Sequence, residues 1–385
     1  MNQAVIAGFV RTPFHISRKG RLIDTRPDDM AAVVLRALVD RSGVDPTLFE
    51  DVLMGCGYPE GEQSRNIARI ATLLAGLPNT LGGATFSRAC GSSMTGVHYA
   101  VGQIAAGMGD AFICAGTESM TRIPMGGFTP SPNPRFMSDA QPDAEITVDA
   151  YIAMGRTAEN VAAQYKVSRA DQDAFALSSQ QKAAAAQAAG SFADELVAMP
   201  TTAGIVEADG CLRPQTTLED LAKLKPAFDP QGSVTAGTSS PLTDGAAAVL
   251  VCSEAFAGKH GLPVLARVIA SAVAGCAPEI MGMGPMPATQ KALARAGLKA
   301  GDIDVVEINE AFASQALACL RELDIDLARV NLDGGAIALG HPAGATGARI
   351  VGKAAQLLAR HGGRYALATQ CIGGGQGITT ILERV

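Results

Sequence analysis

The sequence predicts an α/β layered fold built from two copies of one unit, with a loop-rich insertion between them. Short apolar stretches typical of buried strands alternate with helical stretches over most of the 385 residues, as expected when helices pack on a sheet. A constant offset of 254 residues brings similar signals from two distant parts of the chain into register, which indicates an internal repeat. Between these parts, residues 123–142 contain five prolines, a composition typical of irregular loop.

The first copy begins at the N-terminus. Residues 4–8 predict a buried strand, and Pro27 predicts the start of a helix, because proline lacks the N–H that has no partner there. The two aspartates that follow Pro27 favour the same start, where the helix dipole is positive. Residues 52–54 and 111–115 predict two further strands, and Gly91 opens a helix between them.

The second copy starts near residue 260 and repeats this order without a gap. The aligned pairs, first copy before second, are 49–52 and 303–306, 91–92 and 345–346, 109 and 363, and 111–114 and 365–368. Identities are few, but one offset holds over many positions that carry the same structural signal. We therefore interpret the two segments as duplicated α/β halves.

The segment between the halves has a different character. Residues 157–189 are predicted to be helical, with a stop at Gly190, and residues 246–251 predict a buried strand that returns to the first half. An insertion of this size beside a site usually covers or builds a ligand pocket. The predicted domains are an N-terminal half at 1–119, a loop domain at 120–233, a return strand and linker at 234–258, and a C-terminal half at 259–385.

Composition excludes several functional classes. A formal charge of −6 and 4% aromatic residues argue against a nucleic-acid surface. No apolar run reaches the ~18 residues of a membrane helix, and no basic region with an apolar core stands at the N-terminus. We therefore expect a cytoplasmic protein without membrane insertion. The eight cysteines are scattered without a C-x-x-C pair, so neither a metal site nor a disulfide framework is expected.

Four positions stand at strand ends or helix starts, where open α/β sheets place their ligand sites. Cys90 directly precedes a helix, whose unpaired N–H groups and dipole are expected to favour a thiolate. His341 lies in a glycine-rich run, Asn309 follows the predicted strand of the second half, and Cys371 precedes the three glycines 373–375. Together they favour nucleophilic thiol chemistry.

Each position also has a simpler interpretation. Most cysteines are small buried hydrophobic residues, so Cys90 or Cys371 alone predicts little. Asn309 is also a typical helix cap. The glycines after Cys371 are compatible with a plain turn, although they also free backbone N–H groups to face a ligand. A glycine-rich turn with an incidental histidine is the corresponding interpretation for His341.

Four blocks in this order resemble the active-site blocks of the thiolases, over the whole chain. The blocks are Ser87-Arg88-Ala89-Cys90-Gly91-Ser92-Ser93-Met94, Asn309-Glu310-Ala311-Phe312, Gly340-His341-Pro342 and Cys371-Ile372-Gly373-Gly374-Gly375. The resemblance implies a thiolase-like fold, two duplicated halves in α/β/α/β/α layers with an inserted loop domain.

The resemblance implies a role for each block. Cys90 is the nucleophile that carries the acyl group, and His341 takes its proton and then binds the thioester oxygen. Asn309 holds a water as the second donor to that oxygen. Cys371 is the acid and base for the carbon atom of acetyl-CoA; the ordinary thiol pKa of about 8.5 can be tuned to such work. The N–H groups of Cys90 and Gly373 form a second oxyanion hole.

The resemblance also implies a substrate and partners. Coenzyme A is used as a substrate, with no permanently bound cofactor and no metal. By motif position Arg213 contacts its nucleotide end and Ser240 its pantetheine, although Arg213 is also compatible with a plain surface arginine. A homodimer or homotetramer is implied, and some members of the family dock on a hydratase/dehydrogenase subunit.

Two departures and several alternatives remain. Many thiolases have Asn where this chain has Ser87, and biosynthetic members commonly have His where it has Ala153. The sequence therefore favours the degradative type, which cleaves 3-ketoacyl-CoA with CoA in fatty-acid β-oxidation. The alternatives are synthesis of acetoacetyl-CoA from two acetyl-CoA, a decarboxylating ketoacyl synthase, and a non-catalytic CoA or lipid carrier. Chain-length preference stays open, because it depends on the loop 123–142.

Overall fold

The computed structural model of the chain describes residues 2–136 and 149–385. Residues 137–142 of the expected loop therefore lie outside the described part. The strands are β1 (Ala4–Arg11), β2 (His15–Ile16), β3 (Asp51–Gly55), β4 (Ala84–Phe86), β5 (Ala111–Ser119), β6 (Met199–Thr201), β7 (Gly204–Val206), β8 (Thr243–Ser253), β9 (Ala266–Gly275), β10 (Val305–Ile308), β11 (Tyr365–Ile372) and β12 (Gln376–Glu383). The helices are α1 (Pro27–Ser42), α2 (Ile67–Leu74), α3 (Ser92–Ala105), α4 (Met154–Gln164), α5 (Arg169–Ala188), α6 (Leu218–Ala222), α7 (Glu254–His260), α8 (Pro285–Ala296), α9 (Ala313–Glu322), α10 (Ala336–Leu339) and α11 (Ala343–His361).

A ten-stranded mixed sheet carries the fold, with the order β10-β11-β12-β9-β1-β8-β5-β3-β4 and β2 paired with β8. Apart from the extra edge strand β4, the order is symmetric about the junction of β9 and β1. Each side has a parallel pair, β3 with β5 and β10 with β11, and an antiparallel return strand, β8 or β12. The junction has only two register pairs, Val5 with Arg267 and Ile6 with Ala266.

Five layers result from this arrangement. Helices α3 and α11 pack on each other and lie between the two sheet halves in one buried core. Helices α1 and α2 cover the outer face of the first half, and α8 and α9 cover that of the second. The layers are helix, sheet, helix, sheet, helix, so the expected α/β/α/β/α architecture is confirmed.

The 254-residue offset also appears in the elements. Strands β5 and β11 begin at Ala111 and Tyr365, and β3 and β10 begin at Asp51 and Val305. Helices α1 and α8 end on Gly43 and Gly297, both in the left-handed conformation that typically ends a helix. Helix α11 is the exception, because it starts three residues earlier than the counterpart of the α3 start.

The segment 157–189 is largely helical, as expected, and is interrupted once. The segment forms two helices, α4 and α5, because Lys166 takes a positive φ of 53° and Ser168 starts a new helix. Its hydroxyl accepts from the Asp171 N–H while the Asp171 carboxylate accepts from the Ser168 N–H, and such a capping box fixes a helix N-terminus.

Buried charges fasten the inserted segment to both halves. Arg11 of β1 donates to Glu195 at 2.7 Å and to Asp209 at 2.7 Å, and Lys353 of α11 pairs with the same Glu195 and with Asp333. Pairs buried in this way are costly to break, since the remaining charge would lose its partner. No helix within the described ranges combines the length and apolar character needed to cross a bilayer.

Candidate active site

The catalytic candidates meet at one edge of the sheet. Cys90 and His341 each stand two residues before a helix, α3 and α11 respectively. Asn309 follows β10, and Cys371 lies near the end of β11. The contacts described below pair His341 with Asn309 and Cys90 with Cys371, although their sequence positions span most of the chain.

Cys90 lies on a tight, strained turn. Ala89 has a φ of 42°, unusual for a residue with a Cβ. The turn is closed by the Gly91 N–H on the Arg88 carbonyl at 2.9 Å. The Ser92 hydroxyl also stabilises it, accepting from the Arg88 N–H at 2.9 Å and donating to the Ala89 carbonyl at 2.5 Å. The Gln370 side chain donates to the Cys90 carbonyl. These bonds hold the half-buried thiol at the start of α3.

The Cys90 thiol is protonated at rest. Burial raises its pKa to about 11, and the charge of Glu118 acts in the same direction. Hydrogen bonds from the Gly373 N–H and from the N–H of Cys90 itself partly oppose this rise. The expectation that the helix start favours a thiolate is therefore wrong for the resting site, because desolvation outweighs the helix N-terminus. The thiol needs a base.

His341 is a neutral imidazole in a fixed orientation. Its Nδ1 lies 2.6 Å from the Thr346 hydroxyl, which donates its own hydrogen to the Pro342 carbonyl at 3.0 Å. The hydroxyl therefore accepts from Nδ1–H, which leaves Nε2 unprotonated, with its lone pair as an acceptor. Burial lowers the pKa of His341 to about 4, and Arg349 contributes to this. Nε2 is thus available as a base at neutral pH.

Asn309 contacts that same nitrogen. Its Nδ2 lies 3.4 Å from His341 Nε2, and its side chain is fully buried. Its Oδ1 has no partner among the described residues. Asn309 does not cap the following helix, since the N-cap of α9 is Phe312 and has no side-chain bond. A polar group buried without a cap role fits a position that serves a ligand.

Cys371 is almost fully buried, at 1% exposure, in an apolar cluster with Ala158, Met281 and Phe312. Burial raises the pKa of its thiol well above the ordinary value, and the neighbouring Cys90 raises it further. The two cysteines therefore disfavour charge on each other. In the resting site Cys371 is a proton donor.

The glycines after Cys371 form the turn between β11 and β12, where Ile372 pairs with Gln376. Gly374 and Gly375 both have a φ of 83°, which favours glycine. The N–H of Gly373, in the same turn, interacts with the Cys90 sulfur. This segment is thus both a turn and a source of a backbone donor at the nucleophile.

The two residues predicted to bind coenzyme A lie apart from each other. Ser240 adjoins the catalytic edge, since its N–H and its hydroxyl both donate to the Ala311 carbonyl, at 3.0 and 3.2 Å. Arg213 is exposed and lines a cavity of about 420 Å³ that also includes Leu221 and Gly237. That cavity contains none of the four catalytic candidates.

Sequence reasoning missed two side chains at this edge. Thr346 orients His341 through the bond to its Nδ1. Glu118, on β5, accepts the Gly344 N–H at 2.9 Å. A signal for Glu118 exists, because it is a charged residue inside a strand that is buried along its whole length. Thr346 had a signal too, since it is the 254-residue counterpart of Ser92.

Comparison with known proteins gives consistent matches over the whole chain. Two family models match, described as "Thiolase, N-terminal domain" over residues 4–255 and "Thiolase, C-terminal domain" over residues 262–384. A 3-ketoacyl-CoA thiolase of Shewanella denitrificans is 47% identical over 396 residues, and a beta-ketoadipyl-CoA thiolase of Escherichia coli is 47% identical over 407 residues, each alignment covering 100% of both chains. The crystal structure of human mitochondrial 3-ketoacyl-CoA thiolase has a TM-score of 0.90 and 38% identity, covering 100% of this chain and 99% of that one.

Proposed function

The chain belongs to the thiolase family, and we propose that it cleaves 3-ketoacyl-CoA with coenzyme A through an acyl intermediate on Cys90. The products are acetyl-CoA and an acyl-CoA that is two carbons shorter. The activity is that of an acetyl-CoA C-acyltransferase. One observation carries the assignment of roles: a protonated thiol, a neutral imidazole with a free Nε2 and a second protonated thiol lie at one edge, with backbone N–H groups at the first sulfur.

The first half-reaction forms the acyl-enzyme. His341 Nε2 takes the proton of Cys90, and the sulfur attacks the keto carbon of the substrate. The N–H groups of Cys90 and Gly373 donate to the oxygen as it becomes negative. When the carbonyl re-forms, the carbon–carbon bond breaks and the electron pair goes to acetyl-CoA as an enolate. Donors held in place for such charge lower the barrier by roughly 3–4 kcal/mol each.

The enolate is then protonated and the acyl group leaves. Asn309, holding a water, and the imidazolium of His341 stabilise the enolate oxygen, and the Cys371 thiol gives its proton to the carbon. The Cys371 thiolate next takes the proton of the incoming CoA thiol, whose sulfur attacks the acyl group. Cys90 leaves and recovers its proton from His341. Each residue ends in its starting state, so the cycle balances.

Coenzyme A is a substrate in this scheme, and its arm must run from the catalytic edge to the surface. Ser240 is proposed to contact the pantetheine, because it adjoins Ala311 beside Asn309. Arg213 is proposed for the nucleotide end, where a guanidinium suits phosphate groups. The cavity beside Arg213 and the exposed, apolar Leu224 in its lining support that placement.

We propose the degradative direction, in fatty-acid β-oxidation. The relatives named above as 3-ketoacyl-CoA thiolases support this choice, and none of the names favours acetoacetyl-CoA synthesis. A beta-ketoadipyl-CoA relative of equal identity makes a dicarboxylic acyl chain the alternative to test. A cytoplasmic location fits the eight cysteines, all free, because the chemistry needs reduced thiols.

We also propose a homo-oligomer. Strand β4 is one of the two edges of the sheet, and its three residues are half-buried. Large apolar side chains are exposed on the adjoining helices α2 and α3, namely Leu73, Leu74 and Tyr99. An edge strand flanked by exposed apolar residues is a common place for a second copy to pair. Light scattering should give at least twice the chain mass of 39.4 kDa.

The mechanism is tested by two cysteine variants. Cys90→Ala should lower thiolysis of acetoacetyl-CoA by about 10⁴-fold or more, as expected for a lost nucleophile, and intact mass spectrometry should detect no acyl adduct. Cys371→Ser should still form some adduct from a simple acyl-CoA but should not cleave the carbon–carbon bond.

Cys252→Ala is the control, because Cys252 is a buried thiol of β8 in the outer core of the first half and is not among the groups that shift the pKa of Cys90 or Cys371. Wild-type turnover by Cys90→Ala would overturn the proposal, and equal loss of both reactions in Cys371→Ser would overturn the role of Cys371. Values of kcat/KM for linear 3-ketoacyl-CoA chains and for 3-oxoadipyl-CoA would identify the acyl class.

A further inference from the structure

Two buried glutamates flank the turn that bears His341. Glu118 is the next-to-last residue of β5, and Glu310 follows Asn309. Both are 1% exposed. Within residues 2–136 and 149–385, neither forms a salt bridge with a lysine, arginine or histidine. Carboxylates buried without a cation are rare unless several N–H or O–H donors surround them.

Glu118 is surrounded by such donors. Its Oε2 accepts the N–H groups of Gly57 at 2.7 Å and Gly344 at 2.9 Å. Its Oε1 accepts the Tyr58 N–H at 3.3 Å and the Gln63 amide at 2.6 Å. Burial raises the pKa of Glu118, but these N–H groups all donate, so the ionised carboxylate is the form that fits. An amide at this position would turn its NH₂ toward two donors.

The bond to Gly344 joins the two halves of the molecule. Gly344 is the second residue of α11, and the first N–H groups of a helix have no partner within it. A negative charge there is also favoured by the helix dipole. No side chain of the C-terminal half supplies this cap: the N-cap residue Pro342 makes no side-chain bond. Glu118 therefore fixes the segment just after His341.

Glu310 fixes the segment just before it. Its carboxylate accepts the Ser179 hydroxyl at 2.7 Å, the Asn331 amide at 2.6 Å and the Ile337 N–H at 3.1 Å. Ile337 belongs to α10, four residues before His341. The turn is thus held at residues 337 and 344, by carboxylates from different halves of the chain.

We propose that Glu118 and Glu310 are positioning residues that hold the His341 imidazole against Cys90, Glu118 acting across the boundary between the halves. The proposal rests on the proposed function only in giving His341 the role of base. Glu118 differs from Glu310 in one respect. It is close enough to Cys90 to disfavour a thiolate there, whereas Glu310 contributes nothing to the titration of Cys90.

The groups that influence Cys90 can be named on every side. The Glu118 carboxylate of β5 disfavours the Cys90 thiolate. Cys371 of β11 and Tyr58 are also close, since a charged Cys90 raises the pKa of each. His341 is neutral. Loss of the Glu118 charge should therefore lower the pKa of Cys90, since the other neighbours stay uncharged.

Glu118→Gln and Glu310→Gln make a matched test in the full-length protein. The first readout is kcat with acetoacetyl-CoA, expected to fall roughly 10- to 100-fold in both, because small misplacement of a base is costly. The second is alkylation of Cys90 by iodoacetamide from about pH 7 to pH 10, followed by mass spectrometry of the Cys90 peptide. Glu118→Gln should move that profile to lower pH and raise the rate at pH 8 by roughly threefold to tenfold, whereas Glu310→Gln should leave it unchanged.

Wild-type kcat in both variants would overturn the positioning role. An unchanged alkylation profile in Glu118→Gln would overturn the electrostatic one. If Glu118→Gln does not fold, Glu118→Asp decides: the charge stays but the shorter side chain withdraws from Gly344, so kcat should fall with the alkylation profile kept. Unaltered kcat in Glu118→Asp would equally contradict the proposal. Alkylation needs no acyl-CoA, so this readout holds even if the protein proves to have another activity.

Discussion

The Cys90 turn and the His341 turn occupy corresponding places in the two halves, yet they differ in construction. The first, residues 87–93, is tight and strained, with a left-handed Ala89 and a half-buried thiol. The second, residues 340–346, is buried throughout and is held at both ends by carboxylates. A nucleophile must be reached by its substrate, whereas a base must keep one orientation. The duplicated scaffold was adapted differently to each requirement.

The catalytic residues are not equivalent by the repeat. The counterpart of Cys90 is Gly344, and the counterpart of His341 is Ser87. The hydroxyls of Ser92 and Thr346 are true counterparts, with different tasks. Ser92 ties the backbone of its turn, and Thr346 bonds the imidazole. Both halves therefore retain a hydroxyl at this position, but the two hydroxyls bond different groups.

Among changes in the His341 turn, the largest expected effect comes from removing the base. His341→Ala should lower thiolysis at neutral pH by about 10³-fold or more, because the pKa of Cys90 is about 11 and little thiolate forms unaided. The remaining activity should rise roughly tenfold per pH unit below that value, while the wild type stays flat from about pH 5, since the pKa of His341 is about 4. A pH–rate profile checks both slopes, and parallel profiles would contradict the assignment of the base.

A backbone change in the second turn should be nearly as damaging. Gly340 has a φ of 98°, and a Cβ there would lie 2.7 Å from Thr243 and 2.9 Å from the Cys211 sulfur. Gly340→Ala should displace His341 and lower kcat by roughly 100-fold, with a loss of about 1–3 kcal/mol of unfolding free energy. Gly301→Ala is the control, because nothing lies within 4 Å of its Cβ position. Equal activity in the two variants would show that the turn tolerates a side chain.

The two hydroxyls give a sharper and smaller comparison. Thr346→Val should lower kcat about tenfold, because Nδ1–H of His341 loses its acceptor and the ring is no longer held in one orientation. Ser92→Ala should instead lower the unfolding free energy by about 1–2 kcal/mol, as expected for a lost turn bond, with a smaller effect on kcat. Kinetics and urea unfolding of both variants check this. A kinetic loss in Ser92→Ala together with a mainly stability loss in Thr346→Val would contradict this assignment of tasks.

The smallest expected effects concern the pH dependence of folding stability, which differs between the two turns. The folded-state pKa of His341 is lowered to about 4, so an unfolded histidine binds a proton first and stability is lost as the pH falls below about 6.5. The pKa of Cys90 is raised to about 11, so an unfolded thiol ionises first and stability is lost as the pH rises above about 9. Each contribution is at most about 1.4 kcal/mol per pH unit. Denaturant unfolding of His341→Gln should show less acid sensitivity, and Cys90→Ala less alkaline sensitivity, than the wild type.

Much of the fold and the list of candidate site residues could be predicted from the sequence. The alternation of strands and helices and the constant 254-residue offset can both be detected in the sequence alone. Cys90, His341, Asn309 and Cys371 stand beside glycines or strand ends, which mark them. Their catalytic roles stay predictions until the variants are measured.

Long-range partners could not be predicted. Glu118 accepts a hydrogen bond from Gly344, 226 positions away in the chain, and no local sequence pattern predicts such a contact. The protonated state of Cys90 could not be predicted either. A helix start favours a thiolate, but burial, which depends on the whole fold, raises the pKa of the thiol. The break between α4 and α5 had a local signal that the sequence prediction did not use, the capping pair Ser168 and Asp171.

The narrow junction between β1 and β9 bears on how the enzyme is made. With two register pairs joining the sheet halves, the halves meet mainly through the core around α3 and α11, and closing that core carries the entropy of a long loop. The N-terminal half leaves the ribosome first, with its nucleophile but without its base. The thiol of a nascent chain therefore lacks its proposed base, His341, until the second half docks, and acyl transfer should be the last property to appear during synthesis or refolding.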